Sequence, residues 1–100
     1  MDKGYTVILS PDPEGPWTAI CPSMPGAVTE GASRAETLSA MAGVMVAWLD
    51  IARREGFDAL PETPQLVADA LAHVLDDRAE EAWDLRVETT TLSPRVSAAA

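Results

Sequence analysis

Residues 22–33 read PSMPGAVTEGAS, a run with two prolines, two glycines and a short apolar group between them. Met24-Pro25-Gly26 supplies a fixed φ followed by a residue free to take a positive one, which is what a type II turn requires. Residues 27–30 leave room only for a short strand, and Gly31 then releases the chain. Ser33 followed three residues later by Glu36 makes an S-x-x-E capping box, a helix start signal. The run is therefore a joint between a β-layer and a helix, and the segments on either side are read from it.

Upstream, residues 5–10 alternate, with Tyr5, Val7 and Leu9 on one face and Thr6, Ile8 and Ser10 on the other. PDPEGP at 11–16 cannot continue a strand, because its three prolines lack donors and Asp12 and Gly15 suit turns, so it reads as a hairpin loop. Residues 17–21 alternate again, pointing Trp17, Ala19 and Cys21 one way, until Pro22 ends the pairing. Downstream, a helix over 34 to about 54 carries Leu38, Met41, Ala42, Met45, Leu49 and Ala52 as a buried stripe. Val44, Val46, Ala47, Trp48 and Ile51 lie elsewhere on its circumference, so a second helix or another subunit is expected to cover it too. Arg53, Arg54 and Gly56 close it. Thr63-Pro64 starts a second helix with the stripe Val67, Ala70, Leu71, Val74 and Leu75, running to about Ala82. Residues 84–92 return to strand character through Val87 and Thr89 to Thr91. The expectation is one α+β domain over residues 1–96. It has a small antiparallel sheet of three or four strands in the order β-β-β-α-α-β, covered by a long helix. Residues 97–100 form a flexible tail, and no separate DNA-binding domain is expected.

Composition narrows the function. One hundred residues, 47% of them apolar, make a single globular core. Seven basic residues against sixteen acidic ones give a formal net charge of −9, the wrong sign for direct nucleic-acid binding and the right one for a basic partner. MDKGYTVIL lacks the apolar run of a signal peptide and nowhere do eighteen apolar residues follow one another, so a cytoplasmic address without a membrane role is expected. Cys21 has no second cysteine to pair with and reads as a small buried hydrophobe.

Chemistry-bearing patterns are sparse. His73 has Asp69 one helical turn before it and Asp76 and Asp77 one turn after, a spacing open to a surface metal site but better read as a solvated acidic face. Asp76, Asp77, Glu80, Glu81 and Asp84 invite a two-metal nuclease reading, yet they cluster at one helix end while the cores of the first two strands carry no acid. Neither a phosphate-cradling glycine loop nor zinc-ligand spacing occurs. No enzymatic activity, cofactor or metal is expected. Of the three tryptophans, Trp48 reads as core or subunit interface, and Trp17, beside the hairpin loop, is the better anchor for a partner.

In this order the residues resemble the HicB antitoxin family. The likeness rests on Tyr5, Asp12 to Gly15, Trp17, Pro22-Ser23-Met24-Pro25-Gly26, Val28-Thr29, Gly31-Ala32-Ser33-Arg34-Ala35-Glu36, Leu38 and Trp48-Leu49. Ala27, Ser33 and Ala35-Glu36-Thr37 depart mildly from the family's pattern, and the helix-turn-helix or ribbon-helix-helix module of many members has no counterpart. The resemblance implies a HicB-like, partial RNase H-like fold that forms dimers or tetramers. It also implies an antitoxin that masks the RNA-binding surface of a small basic HicA-like mRNA-cleaving toxin. Asp12, Glu14, Trp17, Met24 and Glu30, near one end of the expected sheet, are the candidate partner contacts. The rival is an orphan HicB-like structural or regulatory module without a toxin. An enzyme of ribonuclease-H type is the weaker third.

Overall fold

The computed structural model describes residues 3–94. The expected tail at 97–100 lies outside them. Four strands, β1 (Tyr5–Pro11), β2 (Trp17–Ile20), β3 (Val28–Gly31) and β4 (Glu88–Leu92), form one antiparallel sheet in the order β3-β2-β1-β4. Two helices, α1 (Arg34–Glu55) and α2 (Pro64–Glu80), lie between β3 and β4 in the chain, so the fold is α+β with the expected element order.

The joint folds as its residues dictate. Ala27 N–H donates to the Met24 carbonyl at 2.9 Å, and Gly26 takes φ +89°, the positive value a type II turn demands. Ser33 caps α1 by accepting from Glu36 N–H at 3.1 Å, while the Glu36 carboxylate reaches back to Ala32 N–H at 3.3 Å. Gly31 meets the first turn of α1 so closely that a Cβ there would lie 2.6 Å from Thr37 Oγ1 and 2.8 Å from Thr37 N. Thr37 itself is fully buried. Its hydroxyl donates to the Ser33 carbonyl at 2.7 Å and lies 3.4 Å from the carbonyl of Trp17, so one side chain ties β2 to the helix start. At the other end of the joint, Trp48 Nε1–H donates to the Pro25 carbonyl at 2.9 Å. Its ring meets Phe57 edge-on with centroids 5.6 Å apart.

The core forms between α1 and one face of the sheet: Tyr5, Val7, Leu9, Ala19, Cys21, Met24, Ala27, Met41 and Met45 pack together there. Burial pushes the Cys21 thiol up from its ordinary pKa. Three sequence expectations shift. Pro11 belongs to β1, opposite Trp17, instead of opening the loop. Its missing donor is harmless because, by the alternation of the ladder, its polar edge faces the β4 side beyond the last β4 partner, Glu88. The second helix stops at Glu80, and the last strand begins only at Glu88.

The third shift is larger. α2 lies on the sheet face opposite α1, against Ile8, Ser10, Thr18 and Ile20, and does not reach the outward side of α1, where Gly43, Ala47 and Ile51 are exposed and Pro94 lies alongside. The route is set beyond the end of β2, where the Glu62 carboxylate takes up both donors of Thr6. Thr6 N–H donates to Glu62 Oε1 at 2.6 Å and Thr6 Oγ1 to Oε2 at 3.0 Å. Leu60 N–H donates to the Ser23 carbonyl at 2.8 Å, so the loop rounds that end of the sheet before α2 starts with Thr63 as cap and Pro64 at its first position.

Replacing Gly31 by Ala forces a methyl into backbone of α1 that cannot yield. A loss of about 1–3 kcal/mol is expected from overpacking of this kind, read as a lower denaturation midpoint with unchanged slope.

Candidate partner-binding surface

Acidic side chains from separate segments meet at one end of the sheet because a single buried cation brings α2 there. Arg78 is 3% exposed. Its Nη1–H donates to the Pro11 carbonyl at 2.7 Å, its Nε–H to the Asp84 carbonyl at 2.5 Å, and its Nη2–H to Asp84 Oδ1 at 2.9 Å. The guanidinium also stacks 5.4 Å from the centre of the Trp83 ring. The Arg86 backbone N–H, and after it Arg78, hold the exposed Asp84 carboxyl below the usual carboxylate range. Arg78 is the only cation within the acidic run, and at Val67, Leu71, Val74, Arg78 it occupies the next step of the inward stripe. That placement is the signal that sequence reasoning passed over.

The five candidate contacts divide. Asp12 and Glu14 sit on the β1–β2 hairpin, where Asp12 N–H donates to the Pro16 carbonyl at 2.7 Å and Asp12 Oδ1 accepts from Glu14 N–H at 2.8 Å. Glu30 is exposed and stands opposite Thr18, at the same end. Trp17 is there too, though half-buried and turned to the core face. Met24 is corrected: it lies past the far end of β2 with 0% exposure, drawn into the core by the turn it begins, and offers no surface to a partner.

A cleft of about 630 Å³ opens between the end of α2 and the sheet. Ile8, Ser10, Thr18 and Ile20 floor it, Val74 and Trp83 wall it, and His73, Asp77, Glu80 and Glu81 rim it. His73 Nε2 stands 3.7 Å from Asp77 Oδ2 in a highly exposed position. Among the described residues no three His, Cys, Asp or Glu side chains gather closely enough to hold a metal ion. The acidic end therefore offers charge and apolar area for recognition. α1 is the one helix among the described residues long and apolar enough to cross a membrane, and here it packs on the sheet through Met41 and Met45. Comparison of the chain with protein-family models, with curated proteins and with solved structures finds no match.

Arg78→Ala leaves the Pro11 carbonyl and Asp84 without their partner. A loss of about 1–3 kcal/mol is expected from leaving the buried Pro11 carbonyl unsatisfied, since the exposed Asp84 carboxylate is taken up by water. Hydrogen exchange should show α2 losing protection well before β1 and β2, and Arg78→Lys, which has no planar fork, should recover only part of it.

Proposed function

We propose that this chain is a HicB-like antitoxin that neutralises a small basic HicA-like mRNA-cleaving toxin in the cytoplasm by covering its RNA-binding surface. The observation that carries this reading is the gathering of Asp12, Glu14, Glu30, Asp77, Glu80, Glu81 and Asp84 at one end of the sheet. Of the cations, Arg78 is consumed internally there, Arg34 pairs with Glu88 at the same end, Arg53 and Arg54 pair with Asp50 on α1, and Arg86 lies beside Asp84, so acids outnumber cations at that end. An RNA-binding surface must be cationic to hold phosphates, so an acidic protein end competes for it directly. The order of hairpin, proline-glycine turn, short strand and capped helix on which the family resemblance rests is the order in which the chain folds. The orphan-module reading keeps this fold and gives up the toxin.

Self-association belongs to the same proposal. Ile51 on α1 is 54% exposed, and Gly43 and Ala47 lie open on that helix, so a second copy is the natural cover for a surface α2 does not reach.

Co-expression with the product of the adjacent reading frame should rescue growth and yield a co-purifying complex if that product is a small basic protein. Asp12→Lys with Glu14→Lys should weaken the complex and flatten its salt dependence. Unchanged affinity would remove the hairpin from the interface, and absence of any rescue would favour the orphan module. Light scattering of the purified chain at micromolar concentration should return a dimer or tetramer, and a monomer would refute the self-association.

A further inference from the structure

We infer that the cleft between α2 and the outer face of the sheet is a docking slot for an amphipathic basic segment of a partner protein. An apolar residue of that segment would seat on Ile20 and Thr18, and its Lys or Arg side chains would lie along Asp77, Glu80 and Glu81. The inference rests on the reading of the partner as a basic protein, and it moves the centre of contact from the hairpin to the cleft.

The floor and the rim ask for different things of one occupant. Ile8 is 1% exposed beneath α2, while Ile20 and Thr18 are only half-covered, so the sheet presents apolar area that α2 does not close over. Trp83, held against Arg78, forms a flat aromatic wall beside it. A volume of about 630 Å³ falls in the range of cavities that bury most of a bound ligand. The rim carries three carboxylates, and the one cation in the lining, Arg78, is committed to Asp84 and the Pro11 carbonyl. The lining therefore has uncompensated negative charge above an apolar floor, the complement of a segment that alternates apolar and cationic residues. Glu30, opposite Thr18 on the same face, extends that charge towards β3. A nucleic acid is ruled out as occupant by its sign, and a small polycation would satisfy the rim but leave the floor empty.

The probe is a short synthetic amphipathic Leu/Lys peptide, titrated into the isotopically labelled full chain and followed by NMR. The expected shifts fall on Ile8, Ser10, Thr18, Ile20 and the Trp83 indole. The variant D77N/E80Q/E81Q should bind roughly tenfold more weakly, as removal of three exposed charge pairs predicts. Thr18→Trp, which fills the slot with a good strand former and leaves the charges in place, should bind at least as poorly while its circular dichroism and melting stay native. Oligolysine of equal charge should bind weakly and spare the floor residues. Equal binding of oligolysine, shifts centred on the hairpin or on α1, or full affinity in Thr18→Trp would each overturn the slot. If a toxin is found whose binding responds to the hairpin reversal but not to D77N/E80Q/E81Q, the slot falls and the antitoxin reading stands. If the peptide seats as expected but no toxin exists, the slot stands and that reading falls.

Discussion

The fold depends on the approach of β3 to the start of α1, where Gly31 lets backbone meet backbone and Thr37 bridges the carbonyls of Ser33 and Trp17. Any side chain at Gly31 would push the helix away from the sheet edge and open the layer in which Met41 and Met45 pack on Val7, Leu9 and Ala19. Because Thr37 is fully buried, its hydroxyl has to be satisfied within the protein, and the Ser33 carbonyl one turn back does so at no cost to the cap. Trp48 and Pro25 fix the far end of the same joint, so α1 is held at two points about three turns apart. A helix pinned at both ends of a turn-governed corner has one orientation on the sheet.

On the other face the sheet is held differently. α1 contributes an apolar layer, whereas α2 is attached largely through polar contacts at its two ends: Glu62 on Thr6 where it begins, Arg78 on Pro11 and Asp84 where it finishes. A buried guanidinium is a costly fastener whose desolvation is repaid only by a full set of acceptors. Its advantage is direction, since the planar fork sets the height of α2 above the strands more sharply than a leucine would. The gap that remains over Ile20 and Thr18 follows from that height.

What could be read from sequence was what is local. The turn at Met24 to Ala27, the Ser33 and Thr63 caps, the Gly56 stop and the alternation of β1 each depend on residues within four positions of one another, and all form as expected. What could not be read was set by distance along the chain. Pro11 looks like a loop residue until Arg78, 67 positions later, is seen to use its carbonyl. The destination of α2 hangs on Glu62 accepting from Thr6, 56 positions earlier in the chain. Of the candidate residues, the position of the hairpin acids and Glu30 at the hairpin end of the sheet was legible because charge at a turn or on an edge strand stays in water. Met24 was misplaced because a residue beside a turn can point either way, and only the core's need for volume decides which.

The strand order carries a consequence for how the chain comes into being. β1, the first strand along the chain, takes its second neighbour from β4, the last, so Tyr5 waits for Leu92. During synthesis the hairpin, joint and α1 can assemble as soon as they emerge, but one side of β1 keeps bare amides and carbonyls until β4, roughly eighty residues later, has left the ribosome. A truncated or stalled product would carry that sticky ridge permanently, which makes the final few threonines a safeguard against clumping as much as a part of the sheet.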